Sequence, residues 1–264
     1  MNLELQDKTA LVTGGSRGIG LAVALALSAE GARVMVCGRE AGSLRAAAER
    51  VAAATGKTLE TEAADLSRLD EVERVAATAV ARLGRIDILV NNAGAIRGGD
   101  FLAQPDEEWV TGWSLKLFGY VRMARAVLPH MQRQGGGRIV NVVGAAGRNP
   151  SSTYMAGGVA NAGLINFTKA LSDLGARSNV LVTAVSPGPV RTERWDSLVQ
   201  QQAKASGKSV EDYMKEIAQG YPLGRIAEPE EVADLVCFLA SARASFLTGI
   251  CVTIEGGITR GVFL

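Results

Sequence analysis

The chain has 264 residues, 47% of them hydrophobic, and its 28 basic side chains nearly balance 27 acidic ones. This length suits one α/β domain, so we expect residues 1–264 to form a single domain. A net charge of +1 provides no basic surface for nucleic acid or for an anionic membrane, and we expect neither as a partner.

Two further features bear on the compartment of the protein. Residues 1–8 lack the basic and then apolar layout of a signal peptide, and the most apolar stretch, residues 19–29, covers roughly half the length of a membrane-spanning helix. The cysteines Cys37, Cys237 and Cys251 are far apart and odd in number, so neither a metal site nor a disulfide framework fits them. We therefore expect a cytoplasmic protein without a metal.

Short apolar runs alternate with longer segments of helical period along most of the chain. The predicted strands occupy residues 9–13, 33–37, 58–63, 86–91, 138–143, 180–186 and 250–254. The predicted helices lie near residues 18–30, 41–54, 68–83, 106–133, 153–176 and 229–241. This alternation predicts an α/β fold with a doubly wound parallel sheet of about seven strands and helices on both faces.

Residues 192–224 interrupt the alternation with a long, charged and weakly patterned segment. Segments of this length in compact domains are commonly lids or binding loops. The apolar side chains that would face a pocket are Trp195, Leu198, Val199, Tyr213, Met214 and Ile217. We interpret the segment as a substrate lid.

A glycine-rich loop follows the first predicted strand and leads into a helix. It reads Thr13-Gly14-Gly15-Ser16-Arg17-Gly18-Ile19-Gly20. Glycines at such a place permit a tight turn and let the backbone approach a pyrophosphate at the helix N-terminus. Ordinary turns also use glycine, but the position between the first strand and helix of a βαβ unit favours a dinucleotide site.

Further segments, together with this glycine spacing, resemble the short-chain dehydrogenase/reductase family over nearly the whole chain. In order they are Asp65-Leu66, Asn91-Asn92-Ala93-Gly94, Tyr154, Pro187-Gly188-Pro189-Val190-Arg191-Thr192 and Glu255-Gly256-Gly257. The resemblance implies a Rossmann-type fold and a nicotinamide-dependent oxidoreductase for a small carbonyl or alcohol substrate. It also implies a homo-oligomer, a tetramer or dimer, that pairs the helices near 106–133 and 153–176.

The loop and the resemblance together predict a cofactor site. Its residues are Gly14, Ser16, Arg17, Gly18, Ile19, Gly20, Arg39, Asp65, Leu66, Asn91, Gly94, Lys116, Tyr154, Pro187, Gly188, Val190 and Thr192. The resemblance implies that Asp65 and Leu66 meet the adenine and that Val190 and Thr192 hold the carboxamide. A helix cap at Asp65 and a simple turn at residues 92–94 are the local alternatives.

The end of the second strand bears on the choice of cofactor. An NAD site needs a carboxylate there to bind the ribose hydroxyls, but this chain has Gly38 followed by Arg39. Arg39 and Arg17 of the glycine loop suit the 2′-phosphate of NADP(H). We predict NADP(H) over NAD(H), although Glu40 could turn back to the ribose and Arg39 could be a solvated loop residue.

The catalytic residues depart from the family pattern. In the family, a tyrosine exchanges a proton with the substrate oxygen, a lysine one helical turn further favours its phenolate, a serine positions the substrate, and an asparagine in the preceding helix completes a proton relay. Tyr154 matches the tyrosine. Gly158 aligns with the lysine, Gly144 with the serine and Lys116 with the asparagine.

Two interpretations of these changes remain open. Hydride chemistry is lost in one, and in the other Lys116 supplies the missing ammonium. An ammonium about 4 Å from a phenolate contributes roughly 1–4 kcal/mol, which is enough to tune a base. Gly157 and Gly158 each cost about 1 kcal/mol in a helix relative to alanine, so we hypothesise that the Lys116 stem uses their space. Alternatively, the Lys116 head simply reaches solvent.

The missing serine has candidate replacements at Ser151, Ser152 and Thr153, although capping would explain these residues equally well. The sequence as a whole predicts an NADP(H)-dependent oxidoreductase with Tyr154 as acid/base and Lys116 as its helper. The alternatives are an NADP(H)-binding protein without hydride chemistry, either regulatory or an inactive partner subunit, and an isomerase or lyase.

Overall fold

The computed structural model describes residues 1–260. Within the helix Glu193–Ala205, the side chains of residues 194, 197, 198, 201 and 205 are not described. The lid position Leu198 is therefore outside the described side chains. No helix of the described chain is long and apolar enough to cross a membrane.

Seven parallel strands form one sheet within residues 1–260, in the order β3-β2-β1-β4-β5-β6-β7. The strands are β1 (Thr9–Thr13), β2 (Arg33–Gly38), β3 (Glu60–Ala63), β4 (Ile88–Asn91), β5 (Gly137–Val142), β6 (Val180–Pro187) and β7 (Cys251–Ile254). The predicted fold class is confirmed. The order reverses between β1 and β4, so the loops after these two strands open a crevice at the carboxyl edge of the sheet.

Helices cover both faces of the sheet. In the described chain they are α1 (Gly18–Ala29), α2 (Ala41–Thr55), α3 (Leu69–Leu83), α4 (Asp106–Leu115), α5 (Leu117–Arg133), α6 (Met155–Ala176), α7 (Glu193–Ala205), α8 (Val210–Gln219) and α9 (Pro229–Ala240). One apolar core joins α1, α2 and α9 to the sheet, and a second joins α3 and α5. This two-sided burial explains why the strands read as continuous apolar runs.

The start of α9 illustrates how local sequence sets these boundaries. Pro229 occupies the first turn, and the side chains of Glu228 and Glu231 form a capping box with the backbone. Two hydrogen bonds from Arg225, together with the Glu228 N–H, lower the pKa of Glu231 to about 2. The carboxylate therefore stays charged and continues to cap the helix at neutral pH.

The predicted helix over residues 106–133 is two helices. Lys116 separates α4 from α5 with φ −84° and ψ −60°. The apolar periodicity continues across both helices, so the sequence pattern gave no sign of the break.

The segment 192–224 contains two helices instead of an unpatterned loop. The Thr192 hydroxyl accepts a hydrogen bond from the Trp195 N–H at the start of α7, and the Ser209 hydroxyl accepts one from the Asp212 N–H at the start of α8. Both caps are residue types that start helices, and the sequence interpretation overlooked them.

All three cysteines are free thiols, of which Cys37 and Cys237 are buried in the core and Cys251 is partly buried. Burial raises the pKa of Cys37 and of Cys237 to about 12 and also raises the pKa of the partly buried Cys251. A thiol with such a pKa is not a nucleophile at neutral pH. Residues 1–260 contain no cluster of His, Cys, Asp and Glu that could hold a metal.

A buried hydroxyl joins the two loops that form the crevice. Thr13, at the end of β1, accepts hydrogen bonds from the N–H groups of Asn92 (2.9 Å) and Ala93 (3.1 Å), which follow β4. The Asn92 side-chain amide donates in return to the carbonyl oxygens of Thr13 (3.0 Å) and Gly14 (3.1 Å). The separation of the two loops is fixed by these four hydrogen bonds.

Thr13→Val keeps the shape of this side chain but removes the acceptor of two backbone N–H groups. We expect the free energy of unfolding to fall by about 2 kcal/mol, because unpartnered buried donors are costly. Urea denaturation measures the change. Thr183→Val is the matched control, since the buried Thr183 hydroxyl on β6 has no partner among the described residues. An equal loss of stability in both variants would contradict the assignment.

Candidate active site

The glycine loop after β1 folds back tightly on itself and on the loop after β4. Gly14 has a φ of +66°, and a Cβ atom built on it would lie 2.8 Å from the Ala93 Cα atom. A Cβ atom on Gly20 would overlap the Gly14 carbonyl oxygen. Side chains are excluded at both positions, so the loop leaves the N-terminus of α1 open to the crevice. Such a terminus, with backbone N–H groups, is suited to a pyrophosphate.

Two exposed arginines belong to the glycine loop and to the end of β2: Arg17 lies in the loop, and Arg39 directly follows the strand. Gly38 lies next to Ser16, whose hydroxyl oxygen is 3.5 Å from a Cβ atom built on the glycine. Arg17 and Arg39 are exposed and form no ion pair within residues 1–260. Glu40, also exposed, precedes α2 without accepting a capping hydrogen bond.

The region after β3 has a local structural role. The Asp65 carboxylate accepts a hydrogen bond from the Ser67 N–H (3.0 Å), which forms a turn before α3. Leu66 is buried, and its carbonyl oxygen lies 3.3 Å from a Cβ atom built on Gly119. Asp65 does not cap α3, which begins after Arg68, but holds a turn instead, and its contact with adenine stays a prediction.

A buried polar chain runs under the crevice from β4 to α6. The Asn91 amide donates to the Asn141 side-chain oxygen (3.0 Å), and the Asn141 amide donates to the Thr168 hydroxyl (2.9 Å). Asn91 therefore forms part of the crevice floor and ties β4 to β5.

The segment after β6 reaches across to the glycine loop. The Gly188 N–H, directly after Pro187, donates to the Ile254 carbonyl oxygen (2.9 Å), and the buried Val190 pairs with Ala227. The Thr192 methyl group is 3.2 Å from a Cβ atom built on Gly18.

The start of α7 therefore touches the glycine loop at the N-terminus of α1. Most of the predicted cofactor residues lie at the carboxyl edge of the sheet or on the loops that follow it. Ile19 lies in the first turn of α1.

Lys116 turns inward to the carboxyl edge of the sheet. Its stem crosses Gly94, where a Cβ atom would be 2.8 Å from the lysine Cδ. Its ammonium donates to the Val143 carbonyl oxygen at 2.9 Å, directly after β5. The alternative in which the head simply reaches solvent is therefore wrong for this structure.

Tyr154 occupies the space that was assigned to the Lys116 stem. It is the last residue before α6, and a Cβ atom built on Gly157 would overlap its phenol ring. Gly158 instead faces the Ala146 carbonyl oxygen, 3.3 Å from its Cβ position, where α6 packs against a short 3-10 helix. The hypothesis that the Lys116 stem uses the glycine space is wrong, because the ring of Tyr154 fills it.

A second tyrosine, Tyr120 on α5, is close enough to Tyr154 to feel its charge. Tyr120 is buried, and its hydroxyl donates to the Val142 carbonyl oxygen at 2.8 Å. Burial, and to a smaller extent the nearby Tyr154, raises the pKa of Tyr120 well above its usual value. Tyr120 is therefore a fixed, neutral donor, whereas Tyr154 is partly exposed.

The sequence interpretation missed Asn161. It is buried on α6, and its side-chain nitrogen lies 3.0 Å from a Cβ atom built on Gly144. The signal available in the sequence was an asparagine on the apolar face of the predicted helix over residues 153–176. The proposed serine replacements are exposed, and the hydroxyls of Ser151 and Thr153 lie 3.0 Å apart in a local turn.

Comparison with known proteins identifies the family. A family model described as enoyl-(acyl carrier protein) reductase matches residues 14–259. The 3-oxoacyl-[acyl-carrier-protein] reductase FabG of Chlamydia trachomatis is 34% identical over 96% of this chain and 98% of its own. The chain belongs to the short-chain dehydrogenase/reductase family and is an enzyme of this oxidoreductase class.

Two solved structures extend the likeness to the fold. L-sorbose reductase from Gluconobacter frateurii, complexed with NADPH and L-sorbose, has a TM-score of 0.95 at 30% identity and covers 99% of this chain and 100% of its own. NAD⁺-bound xylitol dehydrogenase has a TM-score of 0.90 at 27% identity and covers 96% of this chain and 100% of its own.

The contact between Gly157 and the ring of Tyr154 can be tested by stability. Gly157→Ala should lower the free energy of unfolding by about 1–3 kcal/mol, because the added methyl group displaces the ring. Gly42→Ala on α2, where no atom lies within 4 Å of the Cβ position, should not lower it. Denaturation of Tyr154→Ala and of the Tyr154→Ala/Gly157→Ala double variant completes a double-mutant cycle. If Gly157→Ala lowers the free energy of unfolding as much in the Tyr154→Ala background as in the wild type, the contact is contradicted.

Proposed function

We propose that the enzyme is an NADP(H)-dependent oxidoreductase for a small carbonyl or alcohol substrate, with Tyr154 as acid/base and Lys116 as the ammonium beside it. The observation that carries the proposal is the inward course of Lys116 over Gly94 to the Val143 carbonyl oxygen. Lys116 lies at the junction of α4 and α5, so the ammonium comes from the helices that precede α6.

Proton transfer is the task of Tyr154. Free tyrosine titrates near pH ~10, so a phenol acts as a base at neutral pH only where its charged form is favoured. A nearby ammonium favours that form. A bound nicotinamide supplies or accepts the hydride, while the Tyr154 hydroxyl gives a proton to, or takes one from, the substrate oxygen.

Substitutions distinguish the catalytic roles proposed for Tyr154 and Lys116 from the structural role of Tyr120. Tyr154→Phe and Lys116→Met should each lower kcat for NADPH-dependent carbonyl reduction by about 100-fold or more, because general acid–base catalysis contributes 10²–10⁴-fold. Tyr120→Phe should keep most of the turnover and lose stability, because it removes only the hydrogen bond to Val142. Steady-state kinetics and thermal unfolding measure these effects.

Tight NADPH binding without turnover over broad carbonyl and alcohol panels would favour the nucleotide-binding alternative, or an isomerase or lyase. Turnover that disappears in Tyr120→Phe and survives in Tyr154→Phe would contradict the assignment.

NADP(H) is proposed because Arg17 of the glycine loop and Arg39 after β2 are exposed cations that would suit the 2′-phosphate. Arg17→Ala and Arg39→Ala should each raise the Kd for NADPH about 10-fold or more, since a hydrogen bond to a charged group contributes about 1.5–3 kcal/mol. The Kd for NADH should stay nearly constant. Fluorescence titration with both nucleotides measures this, with Arg50→Ala on α2 as an exposed control. Preferential binding of NADH by the wild type would contradict the proposal and point to Glu40.

Further parts of the proposal concern the surroundings of the site. We propose that residues 1–264 act as a single domain, in which 192–224 is the substrate lid. In the lid, Val199 is buried, and the Trp195 indole nitrogen is buried without an acceptor within residues 1–260, so it is available to a ligand.

Exposed apolar side chains on α5 and α6, Phe118, Met155 and Val159, support a homo-oligomer, a tetramer or dimer, that pairs these helices. The free thiols suit a reducing cytoplasm.

A further inference from the structure

Asn161 is a buried polar residue on α6. It is 2% exposed, and its side-chain oxygen is buried without a hydrogen-bond partner among the residues described. Buried polar groups in folded proteins are nearly always hydrogen-bonded, so this unpartnered oxygen indicates a donor supplied from outside the described fold, while the role of the amide nitrogen rests on its position beside Gly144.

The amide occupies the space of the missing serine side chain. From a Cβ atom built on Gly144, the Asn161 nitrogen lies 3.0 Å away and its Cγ 3.4 Å away. A serine at position 144 would extend its hydroxyl into this same volume. Gly144 thus leaves room for the amide of Asn161, and the two positions form a compensating pair.

The position of Asn161 also changes how α6 aligns with the family pattern. Tyr154 precedes α6 with φ −143° and ψ 39°, so counting four residues from it does not follow the helix. Its ring lies over Gly157, and the residue one helical turn beyond Gly157 is Asn161. Asn161 therefore stands where the resemblance implies the lysine, in place of Gly158. Relative to the family pattern, the lysine and asparagine have exchanged places between the α4–α5 junction and α6.

We propose that Asn161 is a catalytic residue whose side-chain N–H donates a hydrogen bond to the reacting oxygen of the substrate. This inference rests on the proposed function. During reduction the carbonyl carbon gains the hydride as NADPH becomes NADP⁺, and the carbonyl oxygen gains the proton of the Tyr154 hydroxyl. The amide of Asn161 stabilises the negative charge that develops on that oxygen before the proton arrives.

Two substitutions at position 161 separate catalysis from folding. Asn161→Ala should lower kcat about 100-fold, the size expected for one oxyanion donor, while the Kd for NADPH changes little. Asn161→Leu should lose as much turnover with an unchanged or higher Tm, because an apolar group of similar size replaces a buried amide whose oxygen is unpartnered. Asn166→Ala, on the exposed face of the same helix, is the control and should match the wild type.

A rescue variant tests the position of the donor. In the Asn161→Ala background a serine at 144 has room, so Asn161→Ala/Gly144→Ser should regain about tenfold or more of the lost kcat. Wild-type turnover in Asn161→Ala or Asn161→Leu, or a double variant no faster than Asn161→Ala, would overturn the inference and leave the proposed function intact. A wild type that never oxidises NADPH with any carbonyl would overturn both.

Discussion

The hydroxyl of Thr13 is the interaction on which the site depends most. It accepts hydrogen bonds from two backbone N–H groups of the loop after β4, while the Asn92 side-chain amide donates to two carbonyl oxygens at the start of the loop after β1. The two loops diverge from neighbouring strands, and without this connection the crevice between them would have no fixed width. Gly14 and Gly20 follow from the same constraint, because loops held this closely leave no volume for side chains.

Within this fixed frame, the groups proposed for catalysis come from several elements around the crevice. Lys116 reaches the end of β5 from the junction of α4 and α5, the phenol of Tyr154 lies over Gly157, and Asn161 fills the space beside Gly144. Each of these side chains packs against a glycine: Gly94 beside the lysine stem, Gly157 beside the ring and Gly144 beside the amide. Gly94 belongs to the family motif, whereas Gly144 stands in place of its serine, and the filling of that space by Asn161 argues for a rebuilt site over simple decay.

The sequence predicted the sheet well and the active site only in part. The residues of β1 were predicted without error, because a parallel strand is a short apolar run that ends at a glycine turn. The break at Lys116 and the position of Asn161 were not foreseen. Apolar periodicity continues through the break, and the non-helical torsions of Tyr154 shift the helix register by an amount that residue counting does not reveal. Side-chain positions at a helix start depend on three-dimensional packing, which spacing alone does not encode.

The most direct test of a rebuilt site is a crystal structure of the enzyme with NADPH bound. Two distances decide it: from the Lys116 ammonium nitrogen to the Tyr154 hydroxyl oxygen, and from the same nitrogen to the nearest hydroxyl oxygen of the nicotinamide ribose. We expect both to be near 3 Å, the usual length of a hydrogen bond. An ammonium held only by the Val143 carbonyl oxygen, with no cation beside Tyr154, would contradict the account.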